Sequence, residues 1–130
     1  MAAPSKSALV AAAARFVAHL ATANGYGIFR DEFYYLACPD HLAWGYVDHP
    51  PLSIALLALV RALAGDSALA LRVVPGLLHA LAVRGTGALA RRMGARGFGV
   101  GLAALCTAVA PGLLGMTSFY SMNAIDLALW

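Results

Sequence analysis

The sequence predicts an all-α integral membrane protein: the N-terminal helices of a multi-span bundle, with a long outer loop that contains interfacial helices. Three observations predict this class. Hydrophobic residues make up 62% of the 130 residues and charged residues only 12%, and the mean hydropathy is +0.76, outside the usual soluble composition. Long apolar segments recur along the chain. Five of the six carboxylates fall between Gly27 and Ser67, so the polar chemistry is concentrated between apolar segments.

The basic residues indicate topology rather than a nucleic-acid partner. The chain has nine Lys and Arg and a formal net charge of +3, but they are not interleaved with aromatics as a nucleic-acid surface requires. Cys38 and Cys106 are expected at different depths in the membrane, so no disulfide is predicted. The cysteines therefore do not indicate whether the compartment is oxidising or reducing.

The first membrane helix is predicted at about residues 8–26. Arg15 and His19 interrupt this Ala-rich run. A signal peptide with Lys6 as its charged region is the alternative, but Arg15 splits the apolar core and no clean small-x-small cleavage site follows. We therefore favour a membrane helix.

An outer loop is predicted at about residues 28–66, with two short helices at the membrane surface. We expect Asp31 to cap the first of them and Pro39 to kink or break it. The second runs from Pro51 to Ala64, because prolines favour a helix start and Gly65 a helix end. Its length of roughly 21 Å is too short to span comfortably, so we place it along the interface.

Two further spans are predicted at about residues 68–92 and 98–118. The first carries Pro75, His79 and Arg84, and its flanking Arg72 and Arg91 are expected to snorkel to the interfaces. In the second, residues 98–117 carry no charge.

Gly97 and Gly101, at small-xxx-small spacing, suggest close helix packing, although glycine is simply common in membrane helices. A fourth span begins at 121–130, and the chain ends at Trp130 within this apolar segment. We therefore expect a truncated, N-terminal part of a larger polytopic protein.

The positive-inside tendency sets the expected orientation. Lys6 and the turn that holds Arg91, Arg92 and Arg96 face the cytoplasm, and the carboxylates face outward. The predicted location is the cytoplasmic membrane, with a cytoplasmic N-terminus.

Asp31 and Glu32 are the first candidates for chemistry. A carboxylate beside lipid, with its pKa raised by partial desolvation, suits a general base that takes a proton from an acceptor hydroxyl or amine. The alternative is structural: an N-cap Asp and a first-turn Glu at a helix start, with Arg30 as surface partner.

Asp48 and His49 precede the double proline at the start of the second interfacial helix. A helix N-terminus attracts phosphate and His49 could add a donor, whereas in the structural alternative Asp48 merely caps the helix. Asp40, His41 and their neighbours also supply metal-ligand atoms, but no spacing is diagnostic, so no metal ligand is assigned and a divalent cation stays an alternative.

Asn123 and Asp126 share one face at the start of the last helix and could bring a second carboxylate to the loop. The alternative is a simple capped helix start. Arg15, His19 and His79 are expected to be packed or snorkelling groups and receive no functional role.

Several of these segments together resemble a known family. Tyr26-Gly27, residues 30–38 (RDEFYYLAC) and residues 41–52 (HLAWGYVDHPPL) are similar to the N-terminal region of bacterial protein-mannosyltransferase-like and aminoarabinose-transferase-like membrane glycosyltransferases. Gly65-Asp66-Ser67, Leu71-Arg72, Arg91-Arg92 and residues 122–126 (MNAID) follow in the same order. Pro39 and the polar first span depart from the family pattern.

The resemblance implies an inverting enzyme of the GT-C type that uses a polyprenyl-phosphate-linked sugar at the outer face of the membrane. By analogy, Asp31 is the catalytic base and Glu32 supports it. His49 lies near the donor phosphate, with Tyr46 and Asp48 grouped with it as substrate-binding residues. Asp126 is the outer-face acid of the fourth span.

The implied partners are membrane lipid, the donor lipid and an unidentified acceptor. Relatives have many more spans, so the fragment alone is expected to be inactive. A transporter or channel fragment, or a non-catalytic truncated membrane protein, is the alternative.

Overall fold

The computed structural model describes residues 5–129, whose regular secondary structure is all helical, with no strand. The all-α class is therefore confirmed. The helices are α1 (Lys6–Thr22), α2 (Arg30–Ala37), α3 (Pro51–Ala64), α4 (Ala68–Arg92), α5 (Phe98–Val109), α6 (Pro111–Met116) and α7 (Met122–Leu129), and a 3-10 turn at Cys38–His41 follows α2. Trp130, the end of the predicted fourth span, lies outside the described residues.

Helices α1, α4 and α5 form a three-helix bundle, and glycines of α4 set how closely α1 approaches. A Cβ built on Gly87 would lie 2.5 Å from the Cβ of Ala8, and one built on Gly76 would lie 2.5 Å from the His19 ring. Because Ala8 faces Gly87 and His19 faces Gly76, the two helices are antiparallel. Small residues permit such close backbone approach. Close helix packing was predicted at both Gly97 and Gly101. Gly101 does pack against Ser7 of α1, whereas Gly97 faces open space.

One described helix, Ala68–Arg92, is long and apolar enough to cross a membrane by length and composition. It coincides with the span predicted at 68–92 and is about 37 Å long. The helix expected at 98–118 is not continuous: α5 ends at Val109, Ala110 is extended (ψ 120°) and Pro111 begins α6. Proline disfavours helical geometry in the preceding residue, which accounts for the break at Ala110.

The polar loop also has the predicted breaks. α2 ends at Ala37, two residues before Pro39, and α3 has the predicted bounds, with Gly65 at a φ of 74° after its last residue. The prediction that Asp31 caps α2 is wrong. Phe29 is the N-cap residue, and its backbone N–H donates to Glu32 Oε2 at 2.8 Å, because a carboxylate at the third helical position can reach back over the first turn.

The bundle has chemically different ends. The first residues of α1 and α5 and the last of α4 lie at one end, where Lys6, Arg91, Arg92 and Arg96 are found; we call this the basic end. The polar loop and the start of α7 pack at the other, which we call the acidic end. A core there joins α2, α3, α4 and α7 through Tyr35, Cys38, Ile54, Leu57, Leu71, Tyr120 and Ile125.

Candidate functional site

A buried ion pair anchors the acidic end. Glu32 on α2 and Arg72 on α4 have fully buried side chains, and the guanidinium of Arg72 donates to Glu32 Oε1. The same oxygen accepts the backbone N–H of Tyr120 at 2.7 Å. Together with the Phe29 bond, Glu32 therefore links α2, α4 and the segment before α7.

Arg72 is more extensively held than an interfacial arginine would be. Its guanidinium donates to the carbonyl of Gly27 at 3.1 Å and lies 5.0 Å from the centroid of the Tyr26 ring. Its own carbonyl is 2.9 Å from Nε2 of His19. The expectation that Arg72 snorkels to the interface is thus wrong. Its guanidinium is buried and paired with Glu32 instead of being hydrated at the membrane surface.

Asp31 is exposed, whereas the adjacent Glu32 is buried. The Asp31 side chain is 49% exposed and forms an ion pair with exposed Arg30 at 3.1 Å. That pair matches the structural alternative from sequence. The first turn of α2 thus buries Glu32 and leaves the Asp31 carboxylate exposed.

Tyr35 is the point where the predicted site residues meet. Its hydroxyl accepts the backbone N–H of Met122 at 2.9 Å, and its ring stacks on His49 with centroids 4.0 Å apart. Burial raises the pKa of Tyr35, and the negative charges of Asp31 and Asp126 raise that pKa further. Tyr35 thus contacts His49 and the backbone at the start of α7, and the charges of Asp31 and Asp126 act on its hydroxyl.

His49 is half-buried and has no hydrogen-bond partner for either ring nitrogen within residues 5–129. Its ring also lies 4.8 Å from that of Tyr34. The stacked Tyr35 ring and the tilted Tyr34 ring thus hold the imidazole, and both of its nitrogens are buried without a partner among the described residues. Asp48 beside it is exposed and does not cap α3, whose N-cap residue is Pro50.

The hydroxyl of Tyr46 forms hydrogen bonds within its own loop. It donates to the carbonyl of His41 and accepts the N–H of Ala43, both at 3.0 Å. These bonds close the loop that carries Trp44, whose side chain is 98% exposed. Any contact of Tyr46 with a substrate would have to involve its ring or displace these bonds.

Two other acids of the polar loop are held by Arg61. Its guanidinium contacts Asp66 at 2.5 Å and Asp40 at 3.3 Å and donates to the carbonyl of Leu36 at 2.8 Å. The hydrogen bond from Arg61 lowers the pKa of Asp66. A cavity of about 260 Å³ adjoins this cluster. Through Arg61, Asp40 connects α3 to the 3-10 turn after α2, and Asp66 connects α3 to the segment that follows it.

The polar residues of the bundle interior form a second network. Arg15 Nε donates to His79 Nδ1 at 3.2 Å, His79 Nδ1 is 2.8 Å from the Thr117 hydroxyl, and His79 Nε2 is 3.1 Å from the carbonyl of Thr107. His19 and His79 are buried, as the prediction of packed groups requires. Within residues 5–129, no three His, Cys, Asp or Glu side chains are grouped in a way that could hold a metal ion.

Sequence reasoning missed Arg72, Tyr35 and Tyr120 as organisers of this site. Tyr120 donates its hydroxyl to the carbonyl of Ser53 at 2.6 Å, and burial raises its pKa. The sequence around Arg72 gave one usable signal: an arginine stands three residues before Pro75 in an apolar helix, and the single glutamate of the chain, Glu32, lies elsewhere.

Comparison with known proteins adds no relative: no family model, curated protein or solved structure matches this chain.

Proposed function

We propose that the acidic end contributes the acceptor site of an integral membrane glycosyltransferase that uses a polyprenyl-phosphate-linked sugar, with Asp31 as the general base. The observation that carries the proposal is the exposed Asp31 carboxylate on a short helix that is fixed by the buried Glu32–Arg72 pair and that also carries Tyr35, whose ring stacks on His49. Carboxylates and an imidazole are the groups that suit a reaction that moves a proton and releases a phosphate.

In the proposed reaction Asp31 accepts the proton of the acceptor hydroxyl or amine as that group attacks the anomeric carbon. A new bond forms from acceptor to sugar, the bond from sugar to phosphate breaks, and polyprenyl phosphate leaves with the electron pair. Attack from the face opposite the phosphate inverts the anomeric carbon. Asp31 suits the proton transfer because it is exposed while its helix is fixed.

The remaining residues have distinct roles in this proposal. His49, whose ring nitrogens are buried without a partner among the described residues, donates to a departing phosphate that enters beside the first turn of α3, where the helix N-terminus favours negative charge. The carboxylates of Asp126 and Asp48 accept hydrogen bonds from hydroxyl groups of the sugar or the acceptor. Glu32 is a positioning residue, because it is buried and all its contacts are inside the protein.

A donor-lipid turnover assay on membranes carrying the full-length gene product tests the proposal. Asp31→Asn preserves shape and removes the base, so we expect turnover to fall at least about 100-fold. Asp66→Asn is the matched control, since it removes an exposed acid at the same end without touching the Tyr35 group. Full turnover by the Asp31→Asn protein would refute the assigned role.

One observation favours a transporter as the second candidate: Arg15, His19 and His79 are polar groups inside the helix bundle. Ion or proton flux in proteoliposomes would decide between the two. Flux lost in a His79→Gln protein, with no sugar transfer by the wild type, would favour transport.

A further inference from the structure

A second candidate site lies at the basic end, away from the acids. A cavity of about 360 Å³ opens there between the start of α1, the end of α4 and the start of α5. Its lining includes Ser5, Lys6, Arg91, Arg96 and Gly97. Its volume falls within the range of small-ligand pockets.

The charge around this cavity is of one sign. Lys6, Arg91 and Arg96 line it, and Arg92 is adjacent in sequence. The six acidic side chains of the chain belong to the polar loop and α7, at the acidic end. Clustered cations create a positive potential that attracts anions.

Two helix N-termini add to that potential. Helix α1 begins at Lys6 and α5 at Phe98, and residues from both starts line the cavity. The first turns of a helix present backbone N–H groups and a partial positive charge, which favour phosphate. Gly97, with a φ of 45° and open space beside it, leaves the backbone accessible.

We propose that this cavity binds a phosphate group. Highly exposed Met93 and Phe98 lie next to the basic residues in sequence and offer apolar surface to acyl chains. That combination favours the headgroup of an anionic phospholipid over a soluble phosphate compound as its source. Basic pockets at the cytoplasmic ends of membrane helices bind such headgroups.

Binding to the full chain in neutral detergent tests the proposal, with lipids counted by native mass spectrometry. Phosphatidylglycerol, phosphatidylcholine and inorganic phosphate are the three probes. We expect Arg96→Gln to weaken phosphatidylglycerol binding about fivefold. Arg30→Gln removes an equal charge from an exposed site at the acidic end and should change binding less than about twofold.

The outcomes are distinct. Phosphatidylglycerol binding that depends on Arg96, without an effect of inorganic phosphate, supports a lipid source. Competition by millimolar inorganic phosphate that also depends on Arg96 supports a soluble source. Equal losses in the two variants, or no preference for phosphatidylglycerol over phosphatidylcholine together with no phosphate binding, would overturn the proposal. An unchanged melting temperature of the Arg96→Gln protein would exclude misfolding as the cause.

Discussion

Replacing Glu32 by Gln should destabilise the protein strongly, because the substitution leaves the Arg72 charge buried without a counter-ion. The two side chains are 1% and 0% exposed. Removing one partner of a buried ion pair typically costs about 3–5 kcal/mol. The glutamine would also keep only one acceptor oxygen for the N–H groups of Phe29 and Tyr120, and a stranded buried donor alone costs about 1–3 kcal/mol.

These two effects overlap, so we expect a total loss of about 3–5 kcal/mol, which lowers the melting temperature by about 10–20 °C for a chain of this size. Thermal unfolding in detergent, followed by intrinsic fluorescence, measures it. Asp31→Asn is the control, because its exposed carboxylate should change stability by less than about 0.5 kcal/mol.

The double variant Glu32→Gln with Arg72→Met separates charge from packing. Removing the stranded guanidinium should restore at least half of the lost stability, since apolar replacement of a whole buried pair is often neutral. Equal melting temperatures for the Glu32→Gln and Asp31→Asn proteins would refute the reasoning, since the pair would then contribute no more than a surface acid.

Three further predictions concern packing, charge and the membrane. Gly87→Ala should destabilise by about 1–3 kcal/mol because its Cβ meets α1, whereas Gly85→Ala, with open space beside it, should be neutral or stabilising in the same unfolding assay. Arg61→Gln should raise the pKa of Asp66, which Arg61 now holds below its usual range; the stability from this pair is present above the unfolded pKa and lost as pH falls through the lower folded pKa. A carboxyl-carbon NMR titration shows this, and an unmoved Asp66 titration would contradict it. Exposed Cys106 should resist a charged thiol reagent in intact membranes but react after denaturation, as read by peptide mass spectrometry; rapid labelling in membranes would contradict a bilayer location.

Local rules predicted the helix limits well where glycine or proline acts directly. The bounds of α3 follow from Pro51 and Gly65, and the break after α2 follows from Pro39. The same rule applies at Pro111, but the absence of charge from 98 to 117 suggested one continuous span. A short-range conformational preference thus outweighed a composition signal that spans twenty residues.

The site was only partly predictable, because its organisation depends on long-range contacts. Asp31, His49 and Asp126 could be nominated from residue type and position, but the assignment of Asp31 as the base came from the family resemblance. That Glu32 rather than Asp31 is buried depends on Arg72, forty residues away. Tyr35 has the same sequence signature as an interfacial aromatic, so its central position could not be read from the pattern.

Ion pairing at the acidic end constrains where a donor phosphate could bind. Glu32 is paired with Arg72, Asp40 and Asp66 with Arg61, and Asp31 with Arg30. Within residues 5–129, the structure gives Asp48 and Asp126 no ion pair. These two negative charges would repel a phosphate, and the arginines described at this end, Arg30, Arg61 and Arg72, are each already paired with an acid. In the proposed reaction the phosphate must therefore approach over the His49 ring and the first turn of α3, while the Asp126 side receives the uncharged hydroxyls.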